Sequence, residues 1–255
     1  MGKLDGKVAI ITGGSQGLGL GIAQALAADG AAVTLAARTE SKLETAAAEI
    51  TARGGRALAV VCDVRDRDQI VRCVDTTVAH FGRLDIVVNN AQIQIISSLL
   101  DVTDDQVMDA FGSGALATLR FMQIAHPHMK AVGGGTFINV GSGSQLMHGK
   151  DITRYGVYAG VKDMITALSR TAAMEFGADG IRSLTISPAA MSPALERYQQ
   201  HAPERYAESL ARSPFGRYGD PEIDIGRAVA WLCSDDASYM TGSMIMLDGG
   251  RYYLH

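Results

Sequence analysis

Several residue types are scarce in this chain, and each scarcity removes a class of function. Of 255 residues, three are cysteine, one is tryptophan and 6% are aromatic. Cys62, Cys73 and Cys233 lie far apart without CxxC or other metal-ligand spacing, so they read as reduced packing residues, and no metal is expected. Positive charge is not in excess: 23 Lys and Arg stand against 27 Asp and Glu, scattered along the chain, for a formal net charge of −4. That balance lacks the basic surface that neutralises a phosphate backbone, so no nucleic acid partner is expected. No apolar run approaches the roughly 20 residues that a membrane-spanning helix needs. Met1 to Lys7 leads directly into a strand-like run without an apolar leader. The expectation is a cytoplasmic protein with no membrane partner.

What is present is alternation. Val8–Ile11, Ala32–Leu35, Ala57–Val61 and Leu84–Val88 are mostly unbroken apolar runs, the pattern of central parallel strands covered on both faces. Thr136–Val140, Ile181–Ile186 and Ser243–Leu247 continue it, and helical patterns fill the intervals. About seven strands with helices on both sides imply an α/β fold. Right-handed crossovers wind such a chain into a doubly wound parallel sheet, with its ligand crevice beyond the carboxyl ends of the strands. One domain is expected over residues 1–255.

The first motif falls just after the first strand. Thr12-Gly13-Gly14-Ser15-Gln16-Gly17-Leu18-Gly19 has the spacing TGxxxGxG and runs into a helix expected to start near Gly17. Glycines there let backbone N–H groups and the helix N-terminus approach a pyrophosphate. An ordinary glycine-rich turn is the plain alternative, and the order of the other motifs weighs against it. Cys62-Asp63-Val64 follows the third strand, Asn89-Asn90-Ala91 the fourth and Ser142 the fifth. Tyr158-Ala159-Gly160-Val161-Lys162 and Leu247-Asp248-Gly249-Gly250 complete the series.

In these motifs the chain resembles the short-chain dehydrogenase/reductase family, from about Lys7 to Gly250. The resemblance implies a single-domain Rossmann-type fold and an oxidoreductase that interconverts a carbonyl and a secondary alcohol by hydride transfer. It assigns cofactor contacts to Gly13, Ser15, Gln16, Gly17, Leu18, Gly19, Asn90, Ala91 and Pro188. Asp63 and Val64 border the adenine on this reading, although Asp63 could instead cap the following turn. At the end of the second strand, Ala37 replaces the acid that would bind a ribose 2′-hydroxyl, and Arg38 follows. A guanidinium suits a 2′-phosphate, so NADP(H) is expected over NAD(H). NADP-binding relatives often carry a second basic residue in the glycine turn, where this chain has Ser15-Gln16.

Tyr158 and Lys162 are one helical turn apart on a helix expected over residues 155–176. An ammonium beside a phenol lowers the Tyr pKa toward working pH, making Tyr158 the proton donor or acceptor. Ser142 holds the substrate oxygen, with Ser144 as fallback, and Lys162 also reaches the nicotinamide ribose. His148, a lone loop histidine, is expected to be solvated or to touch substrate. Two departures bear on the site: Gln92 stands where the family has glycine and lines the substrate mouth, and Gly114 stands where it has asparagine. Residues 189–218, with Met191, Leu195, Tyr198, Tyr206, Leu210 and Phe215, resemble a substrate lid. Glu222 to Cys233 is expected to pack against another subunit of a homo-tetramer. A regulator that binds a dinucleotide without turning it over is the alternative function.

Overall fold

The computed structural model describes residues 2–252. Seven parallel strands form one sheet in the order β3-β2-β1-β4-β5-β6-β7. They are β1 (Val8–Thr12), β2 (Ala32–Ala37), β3 (Arg56–Val61), β4 (Ile86–Asn89), β5 (Gly135–Val140), β6 (Ile181–Pro188) and β7 (Met244–Leu247). The helices are α1 (Gly17–Ala28), α2 (Glu40–Ala52), α3 (Arg67–Phe81), α4 (Asp104–Phe111), α5 (Ala117–Ala131), α6 (Gly156–Phe176), α7 (Pro193–His201), α8 (Pro203–Ala211) and α9 (Arg227–Cys233).

Strand alternation divides the core between the two faces. Ile11, Leu35, Val88 and Ile138 pack on one side with Ile22 and Leu26 of α1, Leu43 of α2 and Val229 of α9. Ile10, Val87 and Phe137 pack on the other with Ile70 and Val74 of α3, Phe121 of α5 and Ala172 of α6. These strands are therefore mostly apolar, because neither face meets water, and their few polar residues such as Thr34 and Asn139 are hydrogen-bonded inside. Asp66 starts α3 by accepting from the Asp68 and Gln69 amides, and Gly82 ends it at φ 82°.

One expectation needs correction here. Ala57–Val61 was expected to be central, but β3 is the sheet edge, with Arg56 exposed and Val61 49% exposed. An apolar run reports burial of its faces, whereas edge position depends on which strand pairs beside it, and among the described residues nothing pairs beyond β3. The segment Glu222 to Cys233 buries most of its apolar residues within the chain. A π-helical turn, Pro221–Gly226, leads into α9 and packs on α1, burying Ile225, Val229, Ala230, Leu232 and Cys233. Gly21 and Gly226 permit the close approach, since a Cβ on Gly226 would stand 2.7 Å from the Ala25 Cβ. Ile223 and Trp231 remain exposed.

Candidate active site

The order reversal between β1 and β4 opens the crevice where β1 ends, and the glycine turn lies there. Gly13 adopts φ 66° and donates to the Ala36 carbonyl at 2.7 Å, folding the turn back over β2. Gly17 begins α1 at φ 55°, and a Cβ on Gly19 would collide with the Gly13 carbonyl. Gln16 is the N-cap residue but its side chain caps nothing, so the first N–H groups of α1, around Leu18, carry no side-chain partner. A concave glycine turn ending in an uncapped helix fits an anionic pyrophosphate.

Thr12 ties this turn to the next strand. Its Oγ1 accepts from the Asn90 and Ala91 amides, each at 2.9 Å, and donates to the Val88 carbonyl. Asn90 Nδ2 donates to the Thr12 carbonyl at 2.8 Å. Asn90 therefore holds the shape of the turn. Asn89 lies deeper, donating to Asn139 at 2.9 Å; Asn139 in turn donates to Ser169 and Ser183.

A cavity of about 230 Å³ runs from the turn toward β4. Gly13, Ser15 and Gln16 line one side, Ala37 and Arg38 the end of β2, Asp63 and Val64 the end of β3, and Ala91, Gln92 and Ser113 the inner end. Asp63 Oδ1 accepts from the Arg65 amide at 3.0 Å, and its carboxylate pairs with the Arg65 guanidinium at 2.8 Å. Arg65 holds the Asp63 pKa below the ordinary carboxylate value. Both readings of Asp63 meet here: it caps the turn and it lines the cavity. Arg38 is exposed and has no carboxylate within ion-pair distance among the described residues. Lys42, on the first turn of α2, lines the same cavity and donates to Gln16 Oε1 at 2.9 Å. Sequence reasoning missed Lys42. Its signal was four-residue spacing from Arg38 across a strand-to-helix junction, which looks like a solvated helix face until the turn is folded.

At the carboxyl end of β5, Ser142 caps a 3₁₀ turn, Gly143–Leu146, its Oγ accepting from the Ser144 amide at 3.1 Å. Gln145 locks this turn onto α6, accepting from the Ser142 amide at 3.0 Å and donating to Asp163 and Thr166. The result brings Ser142 against the Tyr158 phenol, and this hydrogen-bonding contact pulls the Tyr158 pKa down. Ser144 is buried beside it, and Tyr158 makes its contact with Ser142. His148 is exposed, with a ring nitrogen 3.4 Å from the Leu146 carbonyl.

The expected lowering of Tyr158 by Lys162 does not occur. Burial outweighs the Ser142 contact and raises the Tyr158 pKa above its ordinary value of 10, with Tyr155 adding to the rise. Lys162 Nζ donates to the Val140 carbonyl at 2.5 Å and stands 5.6 Å from the Tyr158 ring centroid, over the ring face. Burial also pushes the Lys162 pKa down to about 7, so at neutral pH a large fraction is uncharged and cannot stabilise a phenolate. Spacing placed the two groups on one helix face correctly, but it carries no information about desolvation.

Gln92 and Gly114 prove to be neighbours. Gly114 lies in the π-helical segment Gly112–Leu116 between α4 and α5, and a Cβ there would stand 3.1 Å from Gln92 Cδ and 2.6 Å from Val161 Cγ1. Gln92 Oε1 and Nε2 are both buried, and neither has a hydrogen-bond partner among the described residues. Ser113 accepts from the Ile93 amide at 2.9 Å and donates to the Asp109 carbonyl at 2.6 Å, so it is committed to holding the loop.

Pro188 ends β6, and the chain then leaves and returns at one point, where Ala190 bridges Gly219. Between them α7 and α8 contain no buried residue. Tyr198, Tyr206 and Tyr218 form an aromatic row with centroids 6.5 and 5.8 Å apart. Tyr155, the N-cap residue of α6, has its pKa raised by burial and by the nearby Tyr198 and Tyr218 phenols, so the row borders the site. Among the described residues no helix is long and apolar enough to cross a membrane.

Comparison with known proteins agrees with this geometry. The family model described as enoyl-(acyl carrier protein) reductase matches residues 13–251. A 12α-hydroxysteroid dehydrogenase of a Clostridium species is 39% identical over 98% of each chain. A tropinone reductase homolog of Arabidopsis thaliana is 33% identical over 97% of this chain and 91% of its own. The solved structure of a 7α-hydroxysteroid dehydrogenase with NADH and 7-oxo glycochenodeoxycholic acid superposes with a TM-score of 0.91 at 30% identity, covering 97% of this chain and 94% of that one.

Proposed function

The chain belongs to the short-chain dehydrogenase/reductase family, and from that premise we propose that it is an NADP(H)-dependent oxidoreductase interconverting an alicyclic ketone and its secondary alcohol. One observation carries the reading: Ser142, Tyr158 and Lys162 converge at the carboxyl edge of the sheet whose first strand ends in the glycine turn. A nicotinamide bound along that edge supplies or accepts the hydride. The protein's own part is the proton. Tyr158, its pKa raised by burial, keeps its phenol proton at neutral pH and is suited to give it to an oxygen held by Ser142. In the oxidative direction the deprotonated Tyr158 oxygen takes the alcohol proton.

The 2′-phosphate preference is supported by Arg38 and Lys42 on the cavity rim and by the absence of an acid at Ala37. Lys42 supplies from α2 the second cation that the glycine turn lacks, and its bond to Gln16 holds it over the cavity. A hydroxysteroid-like substrate is supported by relatives of that name and by the tyrosine row of the lid, a broad aromatic surface suited to a fused-ring skeleton.

The test follows NADPH absorbance on a panel of oxo-steroids and smaller alicyclic ketones, with wild type and Tyr158→Phe. Turnover by wild type that Tyr158→Phe abolishes, with NADPH binding intact in both, supports the reading. Tight NADPH binding without turnover across the panel replaces it with a dinucleotide-binding regulator.

A further inference from the structure

The Leu247-Asp248-Gly249-Gly250 motif takes no part in the hydride and proton chemistry, yet it steers the chain back to the site. β7 pairs with β6 as far as Leu247, which stands beside Pro188. Gly249 at φ 66° and Gly250 at φ 81° then turn the backbone through conformations open mainly to glycine. The buried Asp248 fixes this turn: its Oδ1 accepts from the Gly250 amide and its Oδ2 from the Tyr252 amide, each at 2.9 Å. The two residues that the turn delivers reach different partners. Arg251 Nη2 donates to the Ser209 carbonyl at 2.9 Å and to the Ser209 hydroxyl at 2.8 Å, on α8, and its guanidinium lies 4.5 Å from the Tyr218 ring centroid. Tyr252 lies on Gly143. The three atoms nearest to a Cβ built on Gly143 all belong to the Tyr252 ring, and two of them would collide with it. Gly143 is not among the glycines with positive φ, so its backbone would admit a side chain and the ring above it leaves the room for none.

These contacts close a circuit around the mouth of the site. Ser142 touches the Tyr158 phenol, and the residue after Ser142 carries the Tyr252 ring. Arg251, next to Tyr252, holds Tyr218, and Tyr218 lies near Tyr155 at the start of the helix that bears Tyr158. A substrate whose oxygen is held by Ser142 extends through that circuit. The geometry points to Tyr252 as a specificity-determining residue, its ring forming the wall beside Ser142 against which the body of a fused-ring ketone lies. Arg251 is its positioning residue, tying this wall to α8 and to the tyrosine row. The inference rests on the oxidoreductase reading above and deepens its substrate class. The preferred ketone is broad enough to span from the Tyr252 ring to the tyrosine row, whereas a single-ring ketone engages Ser142 without reaching across.

An oxo-steroid and cyclohexanone serve as probes. Tyr252→Ala should raise KM for the oxo-steroid about five- to tenfold and leave that for cyclohexanone within about twofold, with NADPH affinity unchanged. Tyr252→Phe keeps the ring and should stay close to wild type. Equal changes for both ketones, or none for the oxo-steroid, would overturn the assignment. Arg251→Met should raise the oxo-steroid KM in the same direction and hasten proteolytic cleavage within residues 193–211; an unchanged KM would overturn its positioning role. The seating of Tyr252 is tested without ligand. Gly143→Ala should lower the Tm by roughly 2–6 °C in wild type. In the Tyr252→Ala background, where the ring is gone, the same substitution should leave the Tm nearly unchanged. Losses that simply add would mean that Gly143 does not make room for the ring, and would overturn the wall. Wild-type inactivity on every ketone would count against the oxidoreductase reading. Calorimetric binding of the oxo-steroid to the NADPH complex would then decide the wall by itself: weaker binding in Tyr252→Ala supports it, and equal binding overturns it.

Discussion

The two ends of the crevice handle charge in opposite ways. At the β2–β3 end Arg38 and Lys42 are exposed, and Asp63, Arg65 and Asp109 form an ion-paired chain at the rim. Water screens these groups, so each contributes little to stability. At the β4–β5 end Tyr158, Lys162 and the Gln92 amide are enclosed, and desolvation dominates: the phenol is raised, the lysine is pushed down to about 7, and an amide is left unpaired. On the proposed function, the exposed end binds through screened charge and the enclosed end holds Tyr158 and Lys162 desolvated for proton transfer.

The comparison breaks most decisively at Tyr158. Tyr158→Phe removes only the hydroxyl, so NADPH affinity should be nearly unchanged while kcat falls by about 10²–10⁴-fold. Fluorescence titration and single-turnover kinetics separate the two. A loss of cofactor affinity equal to the loss of rate would assign the hydroxyl to binding and erase the distinction between the ends.

Lys162 sharpens the contrast through stability. Its folded pKa of about 7 lies below the ordinary lysine value of 10.5, so the unfolded chain binds more protons between those limits. Stability therefore rises with pH across that window, and the burial penalty is full below pH 7 and gone above 10.5. Lys162→Met abolishes the penalty. It should stabilise the protein by roughly 2–5 kcal/mol at pH 6.5, and the advantage over wild type should shrink by roughly 3 kcal/mol at pH 9.5, while turnover is lost at both. Urea unfolding at the two pH values measures it. A pH-independent difference would mean that Lys162 stays charged in the folded protein.

The same division explains what the sequence made legible. Strand positions were readable because a doubly covered strand is apolar on both faces over most of its length, and the glycine turn and the Ser142, Tyr158 and Lys162 spacing were readable because local geometry follows from spacing. The edge position of β3 was not, since pairing partners are set by topology. The direction of the Tyr158 shift was hidden because burial is a property of the whole fold. Gln92 and Gly114, 22 residues apart, appeared as separate departures because only packing shows that one side chain fills the hollow left by the other.

Smaller effects are expected at the exposed end. Arg38→Ala should weaken NADPH binding about tenfold and NADH binding far less, with Lys42→Ala acting in the same direction and the NADPH loss diminishing as salt rises. Equal losses for both cofactors would remove the 2′-phosphate from the argument.

Asp63 should yield the least. Its carboxylate caps the turn after β3 and pairs with Arg65, and its depressed pKa contributes stability that is present above the unfolded value and lost as pH falls through the folded one. The guanidinium is 38% exposed, so screening limits the pair to about 1 kcal/mol or less. Asp63→Asn keeps the turn-capping acceptor and removes the charge, so the expected change in urea midpoint is small and confined to pH above about 4. The variant also releases Arg65 from one partner at the cavity rim, leaving a net gain of positive charge beside Arg38. If that field reaches the cofactor, NADPH binding tightens slightly as stability falls, opposite signs that a purely structural Asp63 would not produce.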